Sequence, residues 1–222
     1  MSEVELEHSI AGDGKNGEFE LEQAYIDATF DNGWSGKGGL FLMPIGILNE
    51  THEPTTFFGT ERNPIEREII PSTWWEGGLQ VSKRTETGLL WDAAFHSGLA
   101  VPSSGSNAYR LRSGRQKVSE TDASEWTATT RVRYTGVPGF EIGGSAQYQS
   151  DITPTNGETN DAVLGEAHID WRRGGFGLRA LGGYWDIGGP SPASLDLDSQ
   201  WGFYLEPSYT FSIGDEARLE KV

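Results

Sequence analysis

The chain has 222 residues, with 33 carboxylates against 17 basic residues, four histidines, no cysteine and a formal charge of −16. Such acidity disfavours nucleic acid, whose phosphates would be repelled, and without cysteine there is neither a disulfide framework nor a thiolate metal or redox site. Thirty glycines with 8 Trp, 7 Tyr and 10 Phe favour β structure over helix, and no run approaches the ~18 apolar residues of a transmembrane helix.

The first thirty residues carry Glu3, Glu5, Glu7, Asp13, Glu18, Glu20, Glu22 and Asp27 against Lys15 alone, which reads as a solvated edge. Met1-Ser2-Glu3 lacks the basic then apolar run of an export signal. That leaves a mature chain with an added start, a fragment, or a cytoplasmic protein. Glu18–Phe30 is the first expected strand, with Ala24, Ile26, Ala28 and Phe30 on one face. Asp31-Asn32-Gly33 is a turn signal, because Asn and Gly tolerate positive φ. Lys37–Ile45 follows as a strand. Next comes a long irregular segment, Gly46–Thr73, with Pro54, Pro64 and Pro71; loops of that length are usually functional or disordered.

Trp74–Lys83 and Gly88–Ser97 form an expected hairpin around Arg84-Thr85-Glu86. Pairing about Thr85 sets Val81 against Leu89, Leu79 against Trp91 and Trp75 against Phe95. Gly98–Ser124 is polar and reads as another long loop. Glu125–Tyr134 alternates Trp126, Ala128, Thr130, Val132 and Tyr134 with Glu125, Thr127, Thr129, Arg131 and Arg133. Gly136-Val137-Pro138-Gly139 turns into Gly139–Gln149, and pairing about Val137 sets Arg133 opposite Glu141. After a loop at Asp151–Asp161, Ala162–Arg172 places Val163, Gly165, Ala167, Ile169 and Trp171 opposite Glu166, His168, Asp170 and Arg172. Arg173-Gly174 turns into Gly175–Asp186, with Phe176, Leu178, Ala180 and Tyr184 on its apolar face. A loop with Pro190 and Pro192 precedes Gln200–Ile213, and Gly214-Asp215 turns the chain once more.

The connections run short, long, short, long. Bacterial outer-membrane barrels have that asymmetry, and only every second residue of their strands meets lipid. Aromatics sit near strand ends, as at Trp126 and Tyr134 or Phe140 and Tyr148, where interfacial girdles are expected. Gly and Ala occupy mid-strand places on the apolar face, which a sandwich core would fill with bulk. The expected fold is therefore all-β, an antiparallel up-and-down transmembrane β-barrel. Nine or ten strands are visible, as part of a larger barrel in one domain over 1–222.

The stretch Gly38–Gly78 carries Gly39, Phe41, Pro44, Gly46, Thr56, Phe57, Glu61, Arg62, Pro71 and Gly77 in an order that resembles the phosphate-selective porin O/P family of Gram-negative outer membranes. That resemblance covers about a fifth of the chain. It implies a general or anion-preferring diffusion channel, a homotrimer of roughly sixteen-stranded barrels in contact with outer-membrane lipid, with small hydrophilic solutes or ions such as phosphate as cargo. With fewer strands here, and with the chain closing Glu220-Lys221-Val222 instead of on an aromatic residue, the expectation is an internal fragment, incomplete at both ends.

A porin needs a lumen lined by charge and no catalytic constellation. The polar faces offer Arg131, Arg133, Glu141, Glu166, His168, Asp170, Arg172, Arg179 and Glu206 as pore-lining candidates. Both signs interleave, so these residues read either as arginines guiding anions or as ion pairs between neighbouring strands. The 46–73 segment is the candidate constriction loop, through His52, Glu53, Glu61, Arg62, Glu66, Arg67 and Glu68. His8, His52, His96 and His168 lack ligand spacing, and there is no G-x-S-x-G elbow. No metal, no cofactor and no enzymatic activity are therefore expected. The competing reading is a soluble carbohydrate-binding β-sandwich, in which Trp91, Trp126, Trp171 and Trp201 serve as core or as sugar platforms.

Overall fold

The computed structural model describes residues 1–7, 18–116, 118, 125–154 and 157–211. The predictions that rest on Asp13, Lys15, Ser212, Ile213 and the Gly214-Asp215 turn lie outside the described residues. Ten strands follow in chain order: β1 (Ser2–Glu7), β2 (Glu18–Thr29), β3 (Trp34–Leu42), β4 (Trp75–Arg84), β5 (Leu89–His96), β6 (Thr127–Val137), β7 (Phe140–Gln149), β8 (Ala162–Arg173), β9 (Phe176–Ile187) and β10 (Ser199–Tyr209). They form one sheet in which each strand pairs antiparallel with its sequence neighbour. The all-β, up-and-down expectation is met. Closure is not: among the described residues β1 and β10 stand at the two edges and do not pair with each other.

The connections separate the sheet into two ends. One end has tight turns at 30–33, 85–88, 138–139 and 174–175, and the other has the segments 43–74, 97–126, 150–161 and 188–198. The first tight turn needs its glycine. Asn32 and Gly33 have φ of 61° and 76°, and a Cβ on Gly33 would lie 2.2 Å from the Arg84 carbonyl oxygen.

Two expected registers are corrected. In β4–β5, Val81 faces Ala93 and Leu79 faces Phe95, because Thr85 to Gly88 form a longer turn with Gly88 at φ 89°. The shift is even, so the faces survive. In β6–β7, Arg133 faces Gly143 instead of Glu141, because an irregularity between Tyr134 and Val137 tightens the turn onto Pro138-Gly139. The β8–β9 turn lies at Gly174-Gly175, one residue later than expected, since Arg173 pairs with Phe176.

The two faces are inverted relative to a water-soluble sheet. The apolar face is uncovered, with Ile26 81% and Phe203 72% exposed, whereas Arg131 and His168 on the polar face are 2% and 4% exposed. What covers the polar face is the chain's own segment 43–74. It touches strands far apart in the sheet: His52 meets Glu22 on β2 at 3.2 Å, and the Thr56 carbonyl accepts from Arg179 on β9 at 2.9 Å. A flat sheet would separate β2 from β9 by about 34 Å, at ~4.8 Å per strand, while four residues of chain span at most ~14 Å. The sheet must therefore roll into a trough around the segment.

A hydrophobic core fills the trough toward the long-loop end. Phe41, Met43, Ile45, Ile70 and Trp74 pack with Leu99, Leu164 and Trp185. The inward positions thus change from polar near mid-strand to apolar near that end, a gradient that simple alternation does not show.

Candidate functional site

The inserted segment is held at its base by Asn49. The Asn49 amide donates to the carbonyls of Met43 (2.9 Å) and Trp74 (2.8 Å) and its oxygen accepts from the Trp74 N–H (2.7 Å), so one side chain joins both ends of the insertion. Glu66 is wholly buried. Its carboxylate accepts from the N–H groups of Ile47 and Leu48, both at 2.6 Å, and from the Tyr204 hydroxyl on β10 at 2.6 Å. Burial pushes the Glu66 carboxyl above the usual carboxylate range, against those three hydrogen bonds. His52 is raised above its ordinary value, first by its hydrogen bond with Glu22. Glu22 lies at the point where the β1–β2 register slips, between Glu3 and Val4.

These contacts revise the expected constriction ring. Glu66 is a structural acceptor and does not face open space. Glu53 and Glu61 are exposed, Glu61 pairs with Arg67, and Glu68 pairs with Arg110 at 2.9 Å. Arg62 donates to the Thr73 hydroxyl at 2.9 Å. His52 bridges to the strand wall through its ion pair with Glu22. The seven residues do not converge into one ring.

The strand candidates do converge. Arg131 holds Asp92 on β5 at 2.7 Å and Glu50 of the insertion. Arg133 lies 3.8 Å from Glu50 and 3.7 Å from Glu141. The Glu141 carboxylate is 3.3 Å from His168, whose other ring nitrogen is 2.5 Å from Glu166. Asp170 takes both Arg172 at 3.2 Å and Arg179 at 3.0 Å. Glu206 accepts from Asn63 of the insertion at 3.2 Å. Interleaved signs therefore resolve into a band of ion pairs running across β5 to β9, and the Arg133–Glu141 contact forms diagonally despite the corrected register.

Between this band and the insertion lies a cleft of about 670 Å³ that opens toward the short-turn end. Arg133, Arg172 and Arg179 line it with Glu141 and Asp170, and Phe57 and Phe58 border it from the insertion. Sequence reasoning missed Asp92, Glu50, Tyr204 and Phe58, and had Phe57 only as a motif position. Asp92 was accessible, since it falls in the inward register between Trp91 and Ala93. The others answer to contacts made by an irregular segment, for which no periodicity exists. Among the described residues, no group of three or more His, Cys, Asp or Glu side chains is arranged to hold a metal ion.

No protein-family model matches the chain. It is similar to an uncharacterized protein of Aquifex aeolicus (strain VF5), 29% identical over 225 residues that take in 94% of this chain and 51% of the relative. The chain thus spans about half the length of the relative it matches.

Proposed function

We propose that the chain is part of an outer-membrane porin, a transmembrane β-barrel related to the phosphate-selective porin O/P type, through which small hydrophilic solutes or ions diffuse passively. The observation that carries this reading is the inverted sheet. In water an apolar face this wide would be covered, and its exposure marks a surface meant for an apolar surrounding. Lipid supplies that surrounding, and a barrel wall apolar outside and polar inside is the arrangement it selects. The trough curvature, the short-turn and long-loop ends and the inserted 43–74 segment agree with a narrowed lumen. The band of paired charges argues for a path that passes both signs in preference to a one-sign phosphate filter. Completion of the barrel and trimer assembly belong to the intact protein. The sandwich alternative needs a second sheet over the apolar face, and among the described residues there is one sheet.

The test is refolding in detergent and in plain buffer, then gel mobility with and without boiling and conductance in planar bilayers. A heat-modifiable, detergent-dependent band with discrete conductance is expected. A monodisperse β protein in buffer, without heat-modifiable mobility, would overturn the reading.

A further inference from the structure

Among the described residues lining the 670 Å³ cleft, Arg133 has hydrogen-bonding capacity left unspent. Arg131, Arg172 and Arg179 each donate to a carboxylate within hydrogen-bond distance. Arg133 does not. Its two carboxylate neighbours stand at 3.7 and 3.8 Å, beyond hydrogen-bond reach. Both are drawn elsewhere, Glu50 to Arg131 and Glu141 to His168. Among the described residues the Arg133 Nε is buried with no partner. Its terminal nitrogens, held off both carboxylates, remain able to donate to a ligand oxygen in the cleft.

The same cleft has an apolar side. Phe58 is 64% exposed, but unlike the exposed aromatics of the strands it sits on the insertion, on the polar side of the sheet. One face of its ring is met by the Arg179 guanidinium, 5.7 Å from the centroid. Phe57, Phe140 and Phe176 also border the space. A planar fork of donors and aromatic rings lining one cleft match a planar monoanion with an apolar body. A compact phosphate dianion fits less well, because Glu141 and Asp170 in the same wall oppose a second negative charge and the rings give it nothing to bond.

We propose that this cleft binds small aromatic carboxylates, with the carboxylate on Arg133 and the ring against Phe57 and Phe58. The proposal rests on the porin reading for its meaning, as the solute class the channel favours, though binding itself does not require conduction.

The full chain, refolded in detergent, would be titrated with 4-fluorobenzoate and with 4-fluorobenzyl alcohol by ¹⁹F NMR, with inorganic phosphate as competitor. Fluorobenzoate is expected to bind about tenfold or more tightly than the alcohol, since a charge-assisted pair is lost, and phosphate is expected not to displace it. Arg133→Gln should lose about tenfold in affinity, Arg133→Lys should keep part of it because a charge remains without the fork, and Phe58→Ala should lose about threefold to tenfold. Each variant is checked for native gel mobility, and if Arg133→Gln does not refold, the ligand series and Phe58→Ala decide. Equal binding of acid and alcohol, displacement by phosphate, or unchanged affinity in natively migrating Arg133→Gln or Phe58→Ala would overturn the proposal. Conductance separates the two readings. Binding without conductance keeps the site and removes the channel; conductance without binding removes only the site.

Discussion

Arginine scanning of the outward face gives a prediction with a depth-dependent size. Leu205 lies midway along β10, 63% exposed, with Trp201 and Tyr209 toward the two strand ends on the same face. Four residues separate Leu205 from Tyr209, about 14 Å along the strand at ~3.4 Å per residue, or about 10 Å along the bilayer normal at a tilt near 45°. Half of a ~25 Å apolar band is about 12 Å. If Leu205 lies near the midplane, Tyr209 lies near its boundary. Leu205→Arg should then cost about 2–4 kcal/mol and Tyr209→Arg about 0–1 kcal/mol. For a surface in water both changes should fall within about 0.5 kcal/mol of zero. Urea titration in phospholipid vesicles, followed by tryptophan fluorescence and by the unboiled gel band, measures the difference. Two variants that agree within about 0.5 kcal/mol would refute a lipid-facing β10.

Three further outcomes follow from the insertion. Glu66→Ala leaves the Ile47 and Leu48 N–H groups and the Tyr204 hydroxyl without their acceptor, at about 1 kcal/mol or more each. Limited proteolysis should therefore cut within 46–73 much faster than in the parent, and an unchanged rate would show that Glu66 does not anchor the segment. Asn49→Ala removes three hydrogen bonds at the base and should cost about 2–4 kcal/mol, read from the urea midpoint; a cost under ~0.5 kcal/mol would count against the staple. Because the His52 pKa is raised in the folded chain, its ion pair with Glu22 stabilises fully below the unfolded value of ~6.5 and fades as pH rises through the raised folded value. Cleavage near 50–60 should accelerate from pH 6 to pH 9, and His52→Gln should reduce that dependence. Glu66, raised by burial, works in the same direction, so the comparison with His52→Gln isolates the histidine. A segment that grows more resistant with pH would refute the sign.

Strand existence and facing were legible because period-2 alternation survives an even register error. The β4–β5 hairpin was expected about Thr85 and folds with a longer turn, yet Leu79, Val81 and Phe95 keep the outward face. The polar row of Arg131, Glu166, His168 and Arg179 was legible for the same reason. What the alternation could not carry was anything decided by the insertion. Glu66 looks like any surface glutamate in an acidic run, and only the backbone folded over it makes it a buried acceptor. Glu22 shares a parity with Ile26, and the slipped β1–β2 register sends the two to opposite sides. The apolar core at the long-loop end was also hidden, because Leu164 and Trp185 occupy positions that alternation assigns to the polar face.

The 43–74 segment sets more than the free cross-section. Ten antiparallel strands have no covalent reason to adopt one radius, and here contacts to β2, β6, β9 and β10 draw the wall around a folded-in former. Width of the trough and curvature of its wall are then governed by one stretch of sequence. Shortening that stretch would also release the tethers that shape the wall, so the trough could not be widened by excision alone. Lengthening it at Glu53 or Glu61, which are exposed, would alter the space inside the trough while leaving the mould intact.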